Sequence, residues 1–383
     1  MRSEGISAYD GDSGIEQKCE KKPLRVLHLV NYWGRGGVVS FIERLVAGCN
    51  DAEIEQSILS ICNKVESPVK CSQYGPMHNG DSMSSMLMGA MALGRFLELH
   101  PFDVIHIHTQ NSSGFLYAYI AKRHGIPKRI IHSHNSALGE GAGVIKRSAQ
   151  IVFRRLYGGS ETIRLACSES AGKHLFNMAD FRIIPNGIAT EKYRFDLNIR
   201  ARIRTQIGIA PDEFLVGCVG ALTSVKNHMR ALLIFSKLLQ HRPNSKLLIL
   251  GEGELRSDLE KEATRLGIRD KVSMPGFVDD VYSWYNAMDV VLFPSLYEGF
   301  PISLVEAQCN GLPVVCSDTI SREVALLDTC VFCSLSDFDE VWVDALLSAD
   351  RDRSVDSVVM VKDSGFDKEN TMNLLLDIYK ENI

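Results

Sequence analysis

The sequence has no apolar segment long enough to cross a membrane. Its longest apolar stretch, residues 83–99, is interrupted by glycine, arginine and glutamate and is too short to span a bilayer. The first twenty residues are polar and acidic and contain no apolar secretory signal. Ten cysteines are present, but they form no disulfide framework. We therefore expect a protein of the reducing cytoplasm that meets a membrane only at its inner face.

Neither sign of charge dominates the chain. The formal net charge is −5, which excludes a general binder of polyanions, and we expect no nucleic-acid partner. Residues 120–155 are a local exception, because they contain eight basic side chains and one acidic one. This stretch fits contact with an anionic membrane surface. A solvated basic face explains it equally well.

The order of apolar runs predicts two α/β domains. Residues 1–23 are expected to be a disordered tail, and 383 residues suit two domains of similar size. From Leu24 onward, short apolar runs alternate with amphipathic stretches, and after the turn at Pro185-Asn186-Gly187 the alternation restarts. This alternation is typical of parallel sheets covered by helices on both faces. The boundary between the domains is placed at residues 187 and 188.

Two pairs of histidines lie on predicted neighbouring strands. His106 and His108 share one face of a strand, as do His132 and His134, because side chains alternate with a period of two. No carboxylate or cysteine at ligand spacing completes either pair, so we predict no metal site. His134, at the end of its strand, is interpreted as a catalytic or substrate-contacting residue.

Three further segments follow predicted strands, where open α/β sheets bind ligands. A glycine-rich turn containing Gly36 and Gly37 allows close approach of a phosphate, although it lacks the G-x-G-x-x-G spacing of nicotinamide-binding proteins. Lys226 precedes a helix and suits a diphosphate. Glu298 and Glu306 flank the start of a short helix and, as acceptors only, should bind sugar and ribose hydroxyls. A bare turn and solvated side chains are the alternatives.

Glu298 and Glu306 form an E-x7-E pair, and other motifs accompany it in order along the chain. They are Pro185-Asn186-Gly187, Leu250-Gly251-Glu252-Gly253 and Pro275-Gly276-Phe277-Val278. Together they resemble the retaining glycosyltransferases of family four, which have the GT-B fold. The segments 132–135, 166–169, 316–318 and 364–367 resemble the exopolysaccharide-type bacterial branch.

The resemblance implies a fold and a reaction. The fold is two facing Rossmann-like domains, an acceptor-binding one at 24–187 and a nucleotide-sugar-binding one at 188–366. A final helix within 367–383 packs back on the first domain. The implied reaction transfers a hexose or N-acetylhexosamine from a UDP-sugar to a glycan acceptor, lipid-linked or an oligosaccharide. It requires no metal or other cofactor and serves the synthesis of exopolysaccharide, capsule or another cell-surface glycan.

The resemblance also implies the roles of individual residues. His134 and Glu298 correspond to residues at the donor sugar and are the predicted catalytic pair. Lys226 corresponds to the diphosphate ligand and Glu306 to the ribose ligand. The implied donor-binding set is Gly36, Gly37, Lys226, Val278, Gly299, Phe300, Ile302, Ser303 and Glu306.

Three positions depart from the family pattern. Ala221 stands where an arginine usually binds the diphosphate, and losing one such contact costs about 1.5–3 kcal/mol. Val39 and Ala189 stand where the family often has acids. Ala221 leaves open a second interpretation, a non-catalytic partner of another glycosyltransferase. A third is a UDP-sugar 2-epimerase, which has a similar pair of domains.

Overall fold

A computed structural model of the chain describes residues 22–34, 36–48, 53–77, 83–135, 144–353 and 356–381. The expected disordered tail lies outside these ranges apart from its last two residues. In the described part, two parallel sheets follow one another along the chain. None of the helices in these ranges is long and apolar enough to cross a membrane.

The first sheet has seven parallel strands in the order β3-β2-β1-β4-β5-β6-β7. These are β1 Leu24–Val30, β2 Ile54–Ser60, β3 Ser72–Tyr74, β4 Val104–Thr109, β5 Lys128–Ser133, β6 Ile163–Ala166 and β7 Arg182–Ile183. Its helices are α1 Gly37–Gly48, α2 Met83–Leu99, α3 Ser113–Arg123, α4 Val144–Tyr157 and α5 Glu169–Phe176.

The second sheet has six parallel strands in the order β10-β9-β8-β11-β12-β13. These are β8 Phe214–Val219, β9 Ser245–Leu250, β10 Val272–Gly276, β11 Val290–Phe293, β12 Val314–Ser317 and β13 Cys330–Cys333. Its helices are α6 Leu197–Gln206, α7 His228–His241, α8 Arg256–Arg265, α9 Val281–Ala287, α10 Ile302–Cys309, α11 Asp339–Ser348 and α12 Ser357–Asp363.

Both faces of each sheet carry a hydrophobic core. On β1, Leu27 and Leu29 belong to one core and Val26 and Val30 to the other, as the alternation of side chains requires. Helices therefore cover both faces, so side chains of both orientations are buried, in strands that are apolar throughout, such as β11, and in strands that contain histidines, such as β4. The predicted α/β architecture with parallel sheets is confirmed.

The last helix, α13 Lys368–Lys380, lies against α1 and the first sheet. Buried Lys128 donates hydrogen bonds to the carbonyl oxygens of Ile378 (2.6 Å), Tyr379 (2.8 Å) and Glu381. A lysine at this end of a helix satisfies carbonyls that lack a helical partner and opposes the negative end of the helix dipole. The chain passes from the first domain to the second near residue 188 and returns to the first domain near residue 367. These two segments lie side by side, since the N–H of Ile188 donates to the carbonyl oxygen of Phe366 at 2.8 Å.

Candidate active site

The loop after β8 positions Lys226. Gly220 has a φ of +153°, and a Cβ there would lie 3.0 Å from Cε of Lys226. Glycine therefore permits both the turn and the packing of the lysine stem across it. The Lys226 ammonium lies 2.7 Å from Oε1 of Glu298 and 4.7 Å from the centre of the Phe293 ring. The predicted diphosphate ligand and the predicted sugar ligand thus form an ion pair.

Two glycines after β9 support that loop. A Cβ on Gly251 would lie 2.0 Å from the carbonyl oxygen of Gly220, and one on Gly253 would lie 2.4 Å from that of Leu222. The motif Leu250-Gly251-Glu252-Gly253 therefore lets one loop lie directly on the other. Side chains at these positions would push the Lys226 loop away.

Glu306 is held by two tyrosines that the sequence alone did not reveal. The hydroxyl of Tyr193 donates to Oε1 at 2.8 Å, and the hydroxyl of Tyr285 donates to Oε2 at 3.2 Å. Tyr285 also lies 3.0 Å from the carbonyl oxygen of Ser303. Burial raises the pKa of Glu306, and the two hydrogen bonds and Arg44 partly oppose that effect. The carboxylate is fixed in orientation but keeps lone pairs for a ligand.

The turn before α10 touches the first domain. A Cβ on Gly299 would lie 2.5 Å from the carbonyl oxygen of His134, so only glycine permits this approach. Ser168, the N-cap of α5, also donates to the Gly299 carbonyl oxygen at 3.3 Å. The structure therefore brings the predicted catalytic residue His134 and the loop of Glu298 together.

Three of the remaining predicted donor-binding residues, Phe300, Val278 and Ile302, pack against the second domain's core. Phe300 stacks on Phe366 with ring centres 5.1 Å apart, so its side chain supports the turn rather than entering the cleft. Val278 and Ile302 pack partly buried against the same core. Ser303 is partly buried in the first turn of α10. Near this turn, the free amides at the start of α10 favour an anion.

His134 follows β5 and is held in a row of histidines. Its Nε2 lies 3.0 Å from Nδ1 of His108, while its Nδ1 is buried and has no hydrogen-bond partner among the described residues. Burial lowers the pKa of His134 to about 3, so the ring is neutral at physiological pH. The prediction that the paired histidines of β4 and β5 share one face is confirmed by their ring contacts.

Gly36 and Gly37 line an open pocket at the start of α1. A Cβ on either would meet nothing within 4 Å, so packing within the protein does not explain these glycines. The pocket also includes the ends of β1 and β4, and its lining includes Asn31, Tyr32, His108, Thr109 and Asn111. This arrangement leaves room for a ligand to approach the backbone.

The histidines are also the groups that could hold a metal. In the described ranges, ring nitrogens approach within 4.8 Å of one another in two sets of three, His28 with His106 and His108, and His108 with His132 and His134. Periodicity had placed two pairs on one face, and His28 of β1 adds a fifth ring. All five have pKa values lowered by burial.

The position of Ala221 is exposed and carries no charge. Arg35, which could compensate from across the cleft, lies outside the described residues. Arg44 of α1 acts on Glu306 and Tyr193 as a nearby positive charge. Its Nε and Nη2 atoms are buried and have no hydrogen-bond partner in the described part of the chain. Arg44 is therefore a cation with unused donors beside Glu306.

The basic stretch 120–155 is less uniform than its composition suggests. Lys128 is buried against α13, and Arg129 donates to the carbonyl oxygens of Ser160, Ile126 and Pro127. These two cations are therefore structural. Lys122, Arg123 and Arg155 are exposed, as are the apolar side chains of Ile151, Val152 and Leu156 on α4.

Comparison with known proteins agrees with this geometry. Residues 36–187 match the family model described as glycosyl transferase 4-like domain, and residues 199–326 match that described as glycosyl transferases group 1. A protein named glycosyltransferase EpsF from Bacillus subtilis is 28% identical over 93% of this chain and 96% of its own. UDP-Gal:alpha-D-GlcNAc-diphosphoundecaprenol alpha-1,3-galactosyltransferase from Escherichia coli is 25% identical over 62% of this chain and 63% of its own.

Solved structures share the fold at lower identity. HepE from Anabaena, in complex with UDP-glucose, has a TM-score of 0.74 at 15% identity and covers 93% of this chain and 99% of its own. WaaG, a glycosyltransferase involved in lipopolysaccharide biosynthesis, has a TM-score of 0.72 at 18% identity, over 94% and 100%.

Two Rossmann-like domains, each with a parallel sheet, define the GT-B fold that this chain shares with WaaG. The two family models and the EpsF relative make the assignment narrower. The chain belongs to glycosyltransferase family four, whose domain is described as glycosyl transferases group 1.

Proposed function

We propose that this glycosyltransferase moves a hexose or N-acetylhexosamine from a UDP-sugar to a glycan acceptor with retention of anomeric configuration. The observation that carries the proposal is the ion pair of Lys226 and Glu298 just before α10, the helix that carries the buried Glu306. The structural neighbour HepE supports the donor, since HepE forms complexes with UDP and UDP-glucose. The E. coli relative's name supports a polyprenyl-diphosphate acceptor.

Binding of the donor requires Lys226 to change partner. Lys226 is paired with Glu298 at 2.7 Å, and an incoming diphosphate competes for that ammonium. Once the lysine turns to the diphosphate, the Glu298 carboxylate loses the lysine as a partner and accepts a hydroxyl of the sugar in its place. Glu306, already oriented by Tyr193 and Tyr285, accepts the ribose hydroxyls. Lys226, Glu298 and Glu306 would thus bind the diphosphate, the sugar and the ribose of a nucleotide sugar, respectively.

Departure of the nucleoside diphosphate requires stabilisation of negative charge. We propose that Lys226 and the amides from Gly299 to Ser303 supply it at the positive end of α10, without a metal. The His134 carbonyl oxygen lies next to Gly299, and we propose that the neutral His134 ring contacts the donor sugar near the reacting carbon. The open pocket beside Gly36 and Gly37 receives the acceptor, or the glycine loop at its edge closes over the diphosphate.

Arg44 is the residue that we propose to offset the loss of arginine at position 221. It lies on α1 in the first domain, close enough to Glu306 to oppose the rise in that residue's pKa, and two of its buried donor atoms have no partner among the described residues. Replacing Arg44 with methionine should weaken UDP binding about 10-fold and leave uridine binding nearly unchanged, because only UDP carries the diphosphate. Equal weakening of both ligands would show that Arg44 does not bind phosphate.

The activity is tested by supplying UDP-glucose, UDP-galactose and UDP-N-acetylglucosamine with a polyprenyl-diphosphate-linked sugar, in EDTA. We expect one donor to release UDP only when the acceptor is present, giving a product with the anomeric configuration of the donor. Glu298→Gln is the matched variant and should lose this activity. Conversion of the donor without acceptor would identify an epimerase, and no reaction would favour a non-catalytic partner.

We also propose that α4 rests on the inner face of the plasma membrane. Its exposed Ile151, Val152 and Leu156 share the helix with exposed Arg155, and the neighbouring helix α3 carries exposed Lys122, a combination that suits an anionic lipid surface. Sedimentation with vesicles tests this. Binding to phosphatidylglycerol vesicles should exceed binding to phosphatidylcholine vesicles and fall for Leu156→Glu. Equal recovery with both vesicle types would contradict it.

A further inference from the structure

Four side chains form a hydrogen-bonded row across the first sheet and end at His134. Oε1 of Gln56 on β2 lies 2.8 Å from Nε2 of His28, and Nδ1 of His28 lies 3.1 Å from Nε2 of His108. Nδ1 of His108 lies 3.0 Å from Nε2 of His134. The row crosses neighbouring strands on a diagonal, because the register partners of His28 and His108 are His106 and His132, each two residues before the next member of the row.

The first member of the row determines the proton positions in all the others. The Gln56 oxygen can only accept, so His28 carries its proton on Nε2 and accepts at Nδ1. His108 must then donate from Nε2 and accept at Nδ1. His134 must in turn donate from Nε2, which leaves its Nδ1 unprotonated. Each neutral ring has one proton, so the direction is the same along the whole row.

Burial keeps the row in this neutral form. His28 and His108 are buried with 0% and 4% of their surface exposed, and desolvation lowers the pKa of His28 to about 4 and that of His108 well below 6.5. A second proton on His28 or His108 would place two donors against each other within the row. The far end, Nδ1 of His134, is the atom that has no partner among the described residues.

We propose that Gln56, acting through His28 and His108, fixes the tautomer of His134 so that its Nδ1 accepts a hydroxyl hydrogen bond from the donor sugar. Gln56, His28 and His108 are positioning residues in this inference, which rests on the proposed transfer from a nucleotide sugar. The opposite tautomer would present an N–H and would select an acceptor group on the ligand instead. The identity of residue 56, remote from the cleft, would thus influence which hydroxyl pattern the enzyme accepts.

The tautomer is measured directly by long-range proton–nitrogen NMR of protein labelled with 15N-histidine, assigned with His134→Asn. Wild type and Gln56→Glu, which can still accept, should show an unprotonated Nδ1 on His134. Gln56→Met cannot accept and should give a mixture of tautomers. Tyr379→Phe is the matched control, because Tyr379 hydrogen-bonds His106 in a separate row ending at His132 and should leave His134 unchanged.

The kinetic readout separates positioning from stability. In Gln56→Met we expect kcat to fall about 10-fold, and in Gln56→Glu we expect most of that activity to return. The melting temperature of Gln56→Met should stay well above the assay temperature, so that unfolding does not cause the loss. A protonated Nδ1 in the wild type, or an unchanged tautomer in Gln56→Met, would overturn the proposal. One equivalent of tightly bound zinc or copper would also overturn it. The NMR result needs no substrate, so failure of the transfer assay would be a separate finding.

Discussion

Gly299→Ala tests whether the close contact of the two domains is the reactive geometry. The added Cβ would lie 2.5 Å from the carbonyl oxygen of His134 and 3.1 Å from Cα of Asn135, whereas ordinary contacts begin at 3.4 Å. Because both neighbours are backbone atoms, the domains must separate by about 1 Å, and such a misplacement costs on the order of 100-fold in rate. We therefore expect kcat for sugar transfer to fall about 10- to 100-fold.

The assay compares initial transfer rates with UDP affinity and thermal stability. UDP affinity should change less than kcat, because Lys226 and Glu306 belong to the second domain. Gly89→Ala is the matched control, since its Cβ would lie 2.7 Å from Ile61 Cγ2 inside the first domain, far along the chain from the contact. It should affect stability and leave kcat nearly unchanged. Full activity of Gly299→Ala would show that catalysis does not need the close contact of Gly299 with the backbone of His134.

Three further predictions concern charge. Glu306→Gln should weaken UDP binding about 10- to 100-fold, because the variant loses a charged acceptor for ribose. Its melting temperature should not fall, because burial already disfavours the charged form of Glu306. Calorimetry measures the UDP affinity, and thermal unfolding measures the melting temperature. Lys226→Met should weaken UDP about 10- to 100-fold and uridine hardly at all, and equal losses in the same titrations would remove Lys226 from the diphosphate site. The free energy of unfolding of the first domain should be constant above about pH 6.5 and fall as the pH drops towards 5, by up to about 1.4 kcal/mol per pH unit for each buried histidine, because the unfolded chain takes up protons that the folded histidines refuse. Urea titrations followed by Trp33 fluorescence measure this, and a flat profile would show that the histidines are protonated in the folded state.

The alternation of apolar runs predicted most of the strands from the sequence, whereas β3 and β13, two strands at sheet edges, were missed. Strands such as β11 are continuous apolar runs, which the sequence shows directly. By contrast β3, Ser72–Tyr74, is a short polar edge strand whose place depends on pairing with β2. The strand β13, Cys330–Cys333, is a four-residue edge strand whose place depends on pairing with β12.

The candidate site shows the same division. Spacing and strand ends were enough to select Lys226, Glu298, Glu306 and His134, because these residues follow strands of parallel sheets. The tyrosine partners of Glu306 could not be found this way, since Tyr193 lies 113 residues away along the chain. The burial of Lys128 also depends on α13, which is 250 residues distant. Contacts of this kind exist only after the tertiary fold has formed.

The most direct test of the central claim is a calorimetric titration of the purified protein with UDP, GDP and ADP in the absence of added metal, repeated on Glu306→Ala. We expect micromolar binding of UDP, much weaker binding of GDP and ADP, and a clear loss of UDP affinity in Glu306→Ala. Preference for GDP or ADP would contradict the proposed donor. Binding of none of the three would contradict the proposed site itself.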